Sequence, residues 1–136
     1  MAFVSLVPKN QDIGGDDQVV QGSDWIRVFV VKDSLGAPIN LSEYVGSGSP
    51  RAEFRDKAIA DGGATANCPQ PAASFLNGGT AGEIQLLVTH ALSTAATKFS
   101  GVYSIEIVFQ TAGPTNGYVN EVFYGSWAMK KENTAG

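Results

Sequence analysis

Apolar residues along this chain recur mostly with a period of two, the repeat of half-buried β-strands. Residues 25–31 are almost unbroken β-branched and aromatic positions, followed by the turn Lys32-Asp33-Ser34-Leu35-Gly36. Ile26, Val28 and Val30 make one wholly apolar face, and Trp25, Arg27, Phe29 and Val31 make the other. A strand apolar on both sides is either buried twice or offers one face to a partner. Arg51-Ala52-Glu53-Phe54-Arg55 alternates cleanly, with Ala52 and Phe54 inward. Ile84, Leu86 and Val88 mark a third strand, and Tyr103, Ile105, Ile107 and Phe109 a fourth. Residues 119–129 form a last strand after the turn-rich run 112–117, with Gly125 predicting a bulge or kink. The one helical candidate, residues 91–98, spans about two turns and is too short to stand alone. It reads as the crossover of a sandwich. Residues 56–80 read as a long loop with a weak strand at 73–76.

The pattern divides the chain into an N-terminal arm over residues 1–16, a β-domain over 17–129 and a flexible tail over 130–136. At 136 residues there is room for one domain and one core. Sixteen glycines and six prolines agree with many turns and few long helices. The net charge of −4 speaks against nucleic acid, whose phosphates need clustered Lys and Arg. No run approaches the ~18 apolar residues of a membrane span, so no membrane partner is expected. The start of the chain has no basic segment before its short apolar run, and Cys68 is the single cysteine. Both features point to synthesis in a reducing cytoplasm without an intrachain disulfide.

Candidate chemistry is sparse. His90 is the only histidine, so any hydroxyl- or thiol-based triad must use it. Cys68 has no basic neighbour in sequence to stabilise a thiolate. Asp12, Asp16 and Asp17 flank a Gly-Gly pair, but their spacing departs from that of a calcium loop, and they read as solvated turn acids. No cluster has zinc-ligand spacing and no loop has a phosphate-binding pattern, so no catalytic, cofactor or metal site is assigned. The expectation is a protein that is not an enzyme. Trp25, Trp127, Tyr44, Tyr118 and Tyr124 serve either a core or a stacking surface. The candidate interface residues are Phe3, Val4 and Leu6 of the arm with Trp25 and Phe29 of the two-faced strand.

Ser100-Gly101-Val102-Tyr103-Ser104-Ile105 resembles the tyrosine corner of immunoglobulin-like domains, with Ile105 where an antibody domain has a cysteine. The order of motifs extends the likeness over about residues 19–129. It runs from Gln21-Gly22-Ser23-Asp24-Trp25 through the turn 33–42 and the Arg-rich strand, then Gly82-Glu83-Ile84, Gly101-Val102-Tyr103 and Gly125-Ser126-Trp127. This order resembles the small immunoglobulin-like domains of tailed-bacteriophage virion proteins, above all the N-terminal domain of baseplate upper proteins. The resemblance implies an all-β, Ig-like antiparallel β-sandwich with one short crossover helix. It further implies a non-enzymatic structural subunit of baseplate, tail, neck or decoration, made in the host cytoplasm and held in the virion. Other virion proteins and further copies of itself, in a symmetric homo-oligomer, would be its partners. The coiled-coil or receptor-binding region that often follows in that family is not in this sequence, which points to an adaptor, joining or decoration role. The alternative is a carbohydrate-binding or adhesin-like module that stacks sugars on Trp25, Trp127 or the tyrosines.

Overall fold

The computed structural model describes residues 6–110 and 119–131. Two sheets pack face to face. One holds β3 (Trp25–Val30), β6 (Glu83–Val88) and β5 (Ala72–Phe75), in that spatial order and antiparallel. The other holds β4 (Arg51–Arg55), β7 (Ser100–Val108) and β8 (Val119–Lys130), also antiparallel. Along the outer side of β8 run β1 (Lys9–Asn10) and β2 (Val19–Val20), both parallel to it. The helix α1 (His90–Ala95) joins β6 to β7 and so crosses from one sheet to the other. With β3 as strand B, this is the B-E-D and C-F-G division of the immunoglobulin sandwich. The fold is the all-β sandwich that the alternation implied, with its first strand added in parallel.

Aromatic side chains fill the space between the sheets. Phe54 of β4 stacks on Trp127 of β8, ring centroids 5.1 Å apart and planes 15° apart. It meets Trp25 and Tyr103 edge-on at 6.3 and 5.9 Å. Phe29 continues the chain of contacts to Tyr103 and Phe123 at 6.2 and 5.1 Å. Offset and edge-to-face pairs of this kind add to the burial of the rings themselves.

The Gly101-Val102-Tyr103 run has a different basis from a tyrosine corner. A β-carbon on Gly101 would sit 1.8 Å from the Arg55 carbonyl oxygen. Its absence lets the backbone of β4 close in, and the Trp127 indole N–H donates to that same carbonyl at 2.8 Å. The Tyr103 hydroxyl does not bond to the crossover before β7. It donates instead to the carbonyl of Gln11, 92 residues away.

That bond belongs to the largest departure from expectation. Residues 9–13 are not an arm free of the sandwich but part of its sheet. Gln11 N–H donates to Tyr124 O at 2.8 Å, Ile13 N–H to Ser126 O at 2.7 Å, and Ala128 N–H returns to Ile13 O at 2.8 Å. Ile13 is fully buried in the core. Gly125 gains its meaning here: a β-carbon on it would meet Asp12 Oδ1 at 2.7 Å and Gln11 O at 2.9 Å. The bulge in β8 lies elsewhere, at Val122, where the register with β7 shifts between Ile105 and Glu106 and lets Val122 and Phe123 both turn inward. Lys130, expected in the tail, is the last residue of β8. The turn expected at 112–117 and residues 132–136 of the tail lie outside the described residues.

Phe54→Ala should lower stability by about 3–5 kcal/mol in urea unfolding, because it opens a cavity among Trp25, Tyr103 and Trp127. Tyr103→Phe should cost about 1–2 kcal/mol, since it leaves the Gln11 carbonyl without its donor. Amide exchange in that variant should speed up first at Gln11 and Ile13; unchanged protection there would show that the hydroxyl does not hold the arm.

Candidate functional site: an open strand edge

Pairing of the first strand with β8 leaves the outer edge of β3 without a hydrogen-bonded strand among the described residues, with Val7–Lys9 across a cleft from its end at Val30–Lys32. The register fixes which backbone groups are free. Val31 N–H donates to Gly82 O at 2.8 Å, so Trp25, Arg27 and Phe29 bond to β6 in the same phase. The N–H and C=O groups of Ile26, Val28 and Val30 therefore point to the open edge. Side chains divide with the same parity. Trp25 and Phe29 turn into the core, whereas Ile26 is 58% and Val28 40% exposed. On the outer face Ile26 lies opposite Leu87, which is half-buried, and Val28 lies opposite Gln85.

Arg27 is the only charge on β3, and the arm draws it away from the edge. Its guanidinium pairs with Asp17 at 2.7 Å, donates to the Asp12 carbonyl at 3.2 Å and lies 4.8 Å over the Phe29 ring. Trp25 Nε1–H donates to Asp17 O at 3.0 Å. Asp12 in turn accepts the Ser126 N–H on its carboxylate at 2.9 Å. Two of the three acids in the Gly-Gly region thus tie the arm to both sheets.

The other described edges are guarded. β4 presents Arg51, Glu53 and Arg55, with Arg51 paired to Glu106 at 2.9 Å. β5 has four residues and follows Pro71; β1 has two. Charge, proline and shortness are the usual defences of a strand edge against pairing with another chain. β3 has six residues and no proline, and its one charge, Arg27, is paired in the seam.

These positions correct the candidate interface. Trp25 and Phe29 are core residues out of reach of a partner, because the inward parity of β3 carries the aromatic side chains. Leu6 is half-buried and lines a cleft with Val31 and Ile39. Phe3 and Val4 lie outside the described residues. The sequence marked the two-faced strand correctly but took its aromatic side for the exposed one. Trp127 is 1% exposed and Trp25 7%, so neither offers a ring for stacking on a sugar, and Tyr44 is buried as well. Tyr124 is partly exposed, and Tyr118 lies outside the described residues.

His90 and Cys68 also take up structural positions. His90 Nδ1 lies 2.9 Å from Asp24 Oδ1, and the same carboxylate accepts the His90 N–H at 2.6 Å. These bonds, the backbone one foremost, hold the Asp24 carboxyl below its ordinary range. The pair ties the start of β3 to the first turn of α1. Ser93 on that helix is buried, with its hydroxyl accepting from Gly22 N–H at 3.0 Å and within reach of the Ser23 and His90 carbonyls, both 3.2 Å away. The Cys68 thiol is pushed up from its ordinary value, first by burial and then by the Asp56 carboxylate. It stays protonated at neutral pH, the unreactive form of a cysteine.

Alkylation of Cys68 by iodoacetamide near pH 8 should be about tenfold or more slower in the native protein than in urea, following the suppressed thiolate. A native rate equal to the unfolded one would show an accessible, ionised thiol.

The sequence matches no protein-family model and no curated protein.

Proposed function

We propose that this chain is a non-enzymatic assembly module, a structural subunit of the tailed-phage virion type, that docks through the outer edge of β3. The observation that carries the reading is the run Ile26–Val30, paired with β6 on one side only among the described residues, with Ile26 and Val28 exposed and its one charge, Arg27, turned into the seam with the arm. A partner strand laid there gains main-chain hydrogen bonds from Ile26, Val28 and Val30 and apolar contact with their side chains. The rigid sandwich behind supplies a fixed direction, which is what a repeated subunit needs in a symmetric particle. The immunoglobulin strand division supports the resemblance drawn from the order of motifs, and the virion setting rests on that resemblance. Burial of both tryptophans removes the platform that a carbohydrate-binding role would use.

Mass spectrometry of purified tailed-phage particles that carry this gene should find the chain as a stoichiometric component. Val28→Lys places a charge at the centre of the edge and should abolish its incorporation while leaving the circular dichroism of the free protein unchanged. Absence of the wild-type chain from the particles would sink the virion reading. Undiminished incorporation of Val28→Lys would move the docking surface away from β3.

A further inference from the structure

We propose that the occupant of the β3 edge is the β3 edge of a second copy, paired antiparallel about a two-fold axis through Val28. This rests on the reading of β3 as a docking surface and commits it to one partner. Antiparallel pairing centred on Val28 sets Val28 opposite its equivalent and Ile26 opposite Val30 of the other copy. Those are the residues whose backbone groups face outward, so each of these pairs can exchange both N–H···O=C bonds. The pairs within the strand on the outer face, Val28 with Val28 and Ile26 with Val30, are then β-branched and apolar, a favourable combination for adjacent strands.

The flanking charges select this partner and this register. Two residues beyond each end of the apolar run, Asp24 of one copy comes opposite Lys32 of the other, and the two-fold repeats the pair at the far end. Both residues are exposed and share the outward parity of Val28. His90 holds the Asp24 carboxyl below its ordinary range, and that carboxylate, bonded to His90 through Oδ1, remains largely exposed. A shift by two residues in either direction would move the axis to Arg27 or Phe29 and set Asp24 opposite Val30 or Ser34, losing the charge pairing. The parallel arrangement would bring like charges together. An isologous contact of this kind closes on itself and joins the two three-stranded sheets into one continuous sheet.

The test is the mass of the purified chain by sedimentation equilibrium across a wide concentration range. Wild type should dimerise, and Val28→Lys, with two ammonium groups facing each other across the axis, should be monomeric. Lys32→Asp sits on the surface outside every strand and should weaken the dimer about tenfold, since it turns both end pairs from opposite to like charge. Asp24→Lys combined with Lys32→Asp should recover most of that loss. A wild-type chain that stays monomeric at millimolar concentration overturns the pairing, as does a dimer unaffected by Lys32→Asp or a double swap that restores nothing. A monomeric chain that still enters particles through Val28 would leave the assembly reading intact and refute only the self-pairing. A dimer absent from particles would do the reverse.

Discussion

The parallel pairing of residues 9–13 with β8 is the constraint from which the shape of this molecule follows. It closes the outer edge of β8, buries Ile13, and brings Asp12 and Asp17 to the seam between the sheets. A strand can lie in only one sheet at a given level. What β8 gains, β3 lacks, and among the described residues no strand pairs with the edge that is covered in many immunoglobulin sandwiches. The same segment also neutralises the one charge that would protect that edge, since Arg27 turns toward Asp17 and the Asp12 carbonyl.

Two glycines and one side-chain bond shape the sheet around this pairing. Gly125 leaves room for Gln11 and Asp12, and Gly101 leaves room for the β4 carbonyl that Trp127 holds. Tyr103 reaches through the core to the Gln11 carbonyl and couples the arm to the aromatic network around Phe54. The arm is thus linked to β3 as well, since it supplies both the Asp17 carboxylate and the Asp12 carbonyl that hold Arg27.

Much of the sandwich was legible in the sequence. The strand at 51–55 follows from strict alternation, because a polar residue on every second position allows only one facing, and 83–88 departs from it only at Leu87. The crossover segment was visible from its composition, and Thr89 sets its start by accepting the Leu92 N–H. Residues 25–31 were different. Apolar on both sides, they carry no local information about which face is buried, and the large rings of Trp25 and Phe29 went inward because the opposite sheet offered Phe54, Tyr103 and Phe123 to pack against.

By itself, then, the sequence determined the class of fold, the positions of the central strands and the scarcity of catalytic groups, all properties encoded within a few residues of one another. Only the tertiary structure decided that the arm joins β8, that Tyr103 ties it down, and that the apolar surface left outside is Ile26 and Val28. Each of those outcomes is a contact between segments far apart in the chain, about 110 residues for the arm and β8. Polar, glycine-containing residues such as Gln11, Asp12 and Gly14 show no periodicity that would announce a strand. Their ladder is made by backbone groups, which every sequence shares, and its side-chain ties, Asp12 to Ser126 and Tyr103 to Gln11, reach across the chain.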